Sequence, residues 1–122
     1  MIVNDLDIFK EYVSNYDLSD INLERKFYHS IRVRNNAKEI AESLNLASDD
    51  VSLATFIGLT HDLGRFPQWK IYGTFYDSGS IDHALLSIYV LFQDKILKQF
   101  NIALENENII RTAIYNHNKY KV

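Results

Sequence analysis

All four glycines and the single proline of this 122-residue chain fall between Gly58 and Gly79. Everything outside that stretch must therefore be built from elements that need few tight turns, which argues for helices. Hydrophobic residues make up 47% of the chain, enough for the core of one domain but not of two. The expectation is an all-α fold, a single bundle of about five to six helices over residues 1–122.

Apolar spacing places the elements. Leu6, Phe9, Val13 and Tyr16 recur at three- and four-residue steps behind Asn4, a candidate cap, and predict a short first helix. Between Ile21 and Leu46 the stripe Phe27, Val33, Ala37, Ile40, Ala41, Leu44 predicts a long helix with one buried face carrying His29. Ser48 is a candidate cap for a third helix, apolar on nearly all sides from Val51 to Leu63, with His61-Asp62 in its last turn and Gly64 as a left-handed terminus. Arg65 to Gly79 reads as a loop rich in aromatics, of which Phe66, Trp69, Tyr72, Phe75 and Tyr76 are expected to cover core. Ser80 is expected to cap a fourth helix with His83 in its first turn. A break at Gln93-Asp94-Lys95, a helical stretch to Phe100 and a last helix opened by Glu105 or Asn106 and ending at His117 complete the chain.

Charge and composition narrow the function. Thirteen Lys and Arg against sixteen Asp and Glu give a net charge of -3 without a basic block, so no nucleic-acid partner is expected. The absence of Cys confines any metal to His, Asp, Glu or Asn. The N-terminus is acidic and unlike a signal peptide, and the longest nearly apolar run, Ala84 to Phe92, falls well short of the roughly 20 residues that span a bilayer. A cytoplasmic chain without a membrane segment is the expectation.

Four histidines stand at element ends or on apolar faces. One histidine so placed is ordinarily a structural residue. Several imidazoles and a carboxylate buried together are costly unless they are paired or hold a cation, and nitrogen plus carboxylate donors suit a divalent ion such as Fe, Mn, Co, Ni, Mg or Zn.

Phe27-Tyr28-His29-Ser30, His61-Asp62-Leu63-Gly64-Arg65-Phe66, Ser80-Ile81-Asp82-His83-Ala84 and Asn116-His117-Asn118-Lys119 resemble, in that order, the HD-domain metal-dependent phosphohydrolases. The resemblance implies a helical bundle and hydrolysis of a small phosphoester, nucleotides included, at one or two divalent ions. It implies His29, His61 and Asp62 as ligands of a first metal, His83 and His117 as additional ligands, and Asp62 as the bridge. Arg65 and Lys119 are the cations placed to meet phosphate; Arg32, one turn after His29, either faces the same cleft or pairs with a nearby Glu or Asp, the structural reading being preferred, and Asp82 reads as a group that orients His83 or strengthens a helix start. The family takes a final Asp from beyond the last histidine, and no Asp follows His117 here. The expectation is a chain incomplete at its C-terminus, with weakened metal binding, poor hydrolysis and core surface open to homo-oligomerisation. Two other readings stand beside it: a non-catalytic module of the same fold that binds metal or nucleotide or self-associates, and a helical interaction domain with four structural histidines.

Overall fold

The structure, a computed structural model of the chain, describes residues 4–93, 96–100, 102 and 104–117. These are all-α: α1 (Asp5–Val13), α2 (Ile21–Ser43), α3 (Ser48–Thr60), α4 (Arg65–Tyr72), α5 (His83–Gln93), the four-residue α6 (Ile96–Gln99) and α7 (Glu107–Asn116). Among the described residues no helix is long and apolar enough to cross a membrane.

Asn4 starts α1 as expected, its side-chain oxygen accepting the N–H groups of Leu6 at 3.0 Å and Asp7 at 3.3 Å. Asp5 then anchors α1 to α2 through two hydrogen bonds donated by Arg34, both 2.8 Å, in the paired geometry that guanidinium and carboxylate favour. Asp20 does two jobs at the start of α2. One oxygen caps the helix by accepting the Asn22 N–H at 2.9 Å, and the other accepts the Trp69 indole N–H from α4, also at 2.9 Å.

Among the described residues, helices α2 and α3 form the most extensive pairing. Gly58 permits it: a Cβ there would stand 3.1 Å from the Val33 carbonyl oxygen and 3.2 Å from Arg34 Cα. Below them Leu59, Leu63, Phe66, Leu91, Ile110 and Ile114 are enclosed, so that α3, α4, α5 and α7 share one core. Truncating one of these large side chains to Ala costs about 2–5 kcal/mol.

Several expectations need correction. Arg65 to Gly79 is not a loop throughout, because its first half is α4, ended by Gly73 in the left-handed conformation. Pro67 is compatible with that helix since it lies in the first turn, where its missing N–H has no intrahelical acceptor to lose. Gly64 is right-handed, with φ at -66°. Ser48 and Ser80 do not cap: the residue before α3 is Ala47, and α5 is capped by Asp82, which accepts the Ala84 N–H at 2.8 Å. Of the aromatics, Phe66 is enclosed, whereas Tyr72 and Tyr76 are exposed. Ile40 and Leu44 also lie exposed, whereas Ala41 beside them is buried, and the chain reverses at Asn45, whose φ is 58°.

Candidate metal centre

The centre is organised by the turn after α3. Helix α3 stops at Thr60, so His61-Asp62 lies just past its last turn and not within it; His61 is the C-cap, and its Nδ1–H donates to the Gly58 carbonyl at 2.7 Å. A carbonyl can only accept, so the proton sits on Nδ1 and the Nε2 lone pair faces inward. Asp62 follows, 5% exposed. Gly64 lets α5 close against this turn: a Cβ there would stand 2.5 Å from both the His83 carbonyl oxygen and the Ser87 nitrogen. The same contact is held by the Gly64 N–H donating to Ser87 Oγ at 2.7 Å, and Ser87 Oγ donates to the His83 carbonyl at 2.9 Å. The close approach sets His83, the first residue of α5, beside Asp62.

All five residues named as ligands converge. Asp62 Oδ2 lies 3.5 Å from His61 Nε2 and 3.6 Å from His29 Nε2, while Oδ1 lies 3.3 Å from both His83 Nε2 and His117 Nε2. Donor atoms of His29, His61 and Asp62 form one group of metal-holding geometry, and those of Asp62, His83 and His117 form another. His117 closes α7, with its Nδ1–H donating to the Ile114 carbonyl at 2.6 Å. His83 Nδ1 is engaged by Asp77 Oδ2 at 2.9 Å. Three rings thus have their outer nitrogen committed to an acceptor and present Nε2 to Asp62.

The donor set fits a cation. His83 Nε2 and His117 Nε2 stand 2.8 Å apart, so with both outer nitrogens protonated two lone pairs would face each other unless a positive charge lies between or beside them. Asp62 Oδ1 is buried and has no hydrogen-bond partner among the described residues. Burial alone would raise the Asp62 carboxyl, but His117, His83 and His61 outweigh it and hold the group well below the usual carboxylate range. Burial pulls His29 and His61 below the ordinary imidazole value, against the opposing charge of Asp62, which keeps these two neutral and able to ligate. His117 goes the other way: burial would lower it, but the Asp62 carboxylate 3.3 Å from its Nε2 and its bond to the Ile114 carbonyl raise it.

Arg65 is tied into the wall. Its NH1 donates to Gln68 Oε1 at 2.9 Å, the Phe75 carbonyl at 2.8 Å and Asp77 Oδ1 at 3.4 Å, while its Nε is buried, unpartnered and 4.0 Å from Asp62 Oδ1. Asp82 lends its side chain to the start of α5, and the residue that orients His83 is Asp77. Lys119 lies outside the described residues. Arg32 shares a pocket with His29, the less favoured of its two expected placements.

Sequence reasoning missed three residues. Asp77 hides in a segment that looks like a simple turn, six positions before His83 and without helical spacing. Gln68 is fully buried on α4, donating to Asp77 Oδ1 at 3.0 Å, Ser80 Oγ at 3.1 Å and the Ile81 carbonyl at 3.1 Å. Lys26, one turn before His29, lies within electrostatic reach of Asp62, and burial lowers its ammonium against that attraction; its position three residues ahead of a histidine on one helix was the available signal.

No curated protein and no solved structure matches the chain. The sequence model of the HD domain family does match, over residues 27–122, a span that takes in all five converging residues. With the His, His-Asp, His, His order gathered into one buried cluster around Asp62, the chain belongs to the HD domain family.

Proposed function

We propose that this chain is a metal-dependent phosphohydrolase acting on a small phosphoester, nucleotides among them, with one or two divalent ions held by His29, His61, Asp62, His83 and His117. The observation that carries this reading is the 2.8 Å approach of His83 Nε2 and His117 Nε2 over a buried, unpartnered Asp62 oxygen, an arrangement that calls for a cation. Membership in a family generally made of metal-dependent hydrolases supports it.

A bound divalent ion supplies Lewis acidity and makes water a nucleophile at neutral pH. The chain's own residues prepare that chemistry. Asp62 offers one oxygen to each pair of histidines and so can bridge two positions. The committed outer nitrogens of His61, His83 and His117 keep the rings from turning and aim each Nε2 at Asp62, where a bound cation would take the place of a proton. Arg65 retains its Nε for an oxygen of the phosphoryl group beside Asp62, and Lys119 is assigned to the same anion from its place after His117. The half-exposed side of His29 is the side from which substrate enters.

Asp62→Asn tests the reading. The wild-type chain should bind Mn or Co and cleave an aryl phosphate or nucleotide in a chelator-sensitive manner, and the variant should lose metal affinity by about a hundredfold or more. Equal metal content in the two purified proteins would overturn the metal centre. A loaded wild type inert towards every phosphoester tried would overturn the hydrolase.

A further inference from the structure

A second pocket opens from the exposed side of His29. It has a volume of about 530 Å³ and is lined by Asn22, Arg25, Lys26, His29, Arg32 and Phe75. Counted from Asn22, the other four α2 residues stand three, four, seven and ten positions on, so the five share one stripe of α2, and Phe75 reaches it from the segment after α4. Three basic side chains, Arg25, Lys26 and Arg32, line the pocket, and among the described residues no carboxylate does. Arg25 and Arg32 have no carboxylate partner among the described residues, and Lys26 lies 5.2 Å from the centre of the Phe75 ring.

Like charges gathered on one helical stripe weaken the helix unless something neutralises them. The position says what that is. His29 is common to the metal centre and to this pocket, so the two places adjoin and one molecule can reach both. Arg side chains meet phosphate with a planar fork of donors, whereas a single carboxylate would leave two of the three cations in excess.

We infer that the α2 pocket receives a second phosphate group of the substrate, held by Arg25, Lys26 and Arg32, so that the substrate class is a phosphoester carrying at least two phosphates. This rests on the proposed hydrolase reading for the group that is cleaved, but the pocket itself needs no metal. Phe75 forms the wall that turns the chain of phosphates towards His29. Arg65 steadies that wall by donating to the Phe75 carbonyl.

The experiment is a calorimetric titration of the whole chain with inorganic pyrophosphate in the presence of chelator, repeated at rising salt. The wild type should bind, with affinity falling as salt rises. Arg25→Gln/Arg32→Gln should bind at least about tenfold more weakly, and Arg25→Lys/Arg32→Lys should recover part of the loss. In the Mn-loaded protein, a nucleoside diphosphate should bind about tenfold more tightly than the monophosphate, and the Gln double variant should collapse that ratio towards one. Circular dichroism checks that the exposed substitutions leave α2 folded. Pyrophosphate binding that is absent in the wild type, or unchanged in the Gln double variant, would overturn the pocket. If hydrolysis is never seen yet the metal-free pyrophosphate difference holds, the hydrolase reading fails and the anion pocket stands.

Discussion

The two sides of Asp62 are built differently. On the Oδ1 side, His83 is 1% exposed and its outer nitrogen is engaged by Asp77, while His117 is tethered to its own helix. On the Oδ2 side, His61 is tethered in the same way, but the His29 side chain is 40% exposed and its outer nitrogen has no hydrogen bond among the described residues. One side is set in advance by the packing of α5 and α7; the other is completed by a single ring from α2 that faces solvent. Rigid ligands favour retention of an ion, whereas an open ligand beside a cationic pocket favours exchange of whatever binds next to it. The difference therefore separates a holding side from an entry side.

The sharpest way to break the comparison is Gly64→Ala. The added methyl would meet the His83 carbonyl and the Ser87 nitrogen, both backbone atoms that cannot swing aside. Helix α5 must then back away from the turn after α3, carrying His83 with it. We expect destabilisation of about 3 kcal/mol or more by denaturant unfolding, since overpacking against backbone lies at the costly end of such changes. Whatever folds should lose binding on the Oδ1 side first and keep His61 and His29 in place. A variant of wild-type stability and undiminished metal content would show that α5 does not depend on this contact.

Asp77→Asn sharpens the comparison without moving the backbone. Asp77 Oδ1 already faces the Gln68 amide and Arg65 NH1, so Asn would keep its carbonyl oxygen there and turn its NH2 towards His83 Nδ1. An NH2 can only donate, which pushes the imidazole proton to Nε2, the atom that must ligate. Metal affinity on the Oδ1 side should fall about 10–100-fold, with the Oδ2 side unchanged. Mn titration followed by electron paramagnetic resonance resolves the two steps. An equal loss on both sides would mean that the sides are not independent.

How much of this was legible follows the range of the forces involved. His61, His83 and His117 each begin or end a helix, and helix ends are local events written in caps and apolar periodicity, so their convergence could be anticipated. Helix α4 was not legible because Pro67 and Gly73 look like breakers until the helix start is known, and then Pro67 is merely a first-turn residue. Asp77 and Gln68 were missed for a different reason. Their roles come from the segment at 77–81 folding back over α4, and no spacing in the chain announces which polar side chain such a fold will bury. Arg25 and Arg32 look like the solvated face of an amphipathic helix, and only the arrival of Phe75 from another part of the chain makes a pocket of them.

The smallest expected effect tests what holds the entry side to the rest. Asp20 joins the start of α2, and hence the helix that carries His29, to Trp69 of α4. The Trp69 N–H, helped by the N–H groups at the start of α2, holds the Asp20 carboxyl below its ordinary value of 3.8. A carboxylate depressed in the folded state contributes stability that is full above the unfolded value and is lost as pH falls through the folded one. Asn at this position would keep an acceptor for either the cap or the indole but carry no charge to titrate. The gap in denaturation midpoint between wild type and Asp20→Asn should therefore be small and constant at neutral pH and should shrink below about pH 4, as the wild-type carboxylate takes up its proton. Indole fluorescence of Trp69, the only tryptophan, reports the link directly. A gap that stays constant down to pH 2 would show that the charge of Asp20 does not hold α2 to α4, and that the entry side is positioned by the apolar contacts of α2 alone.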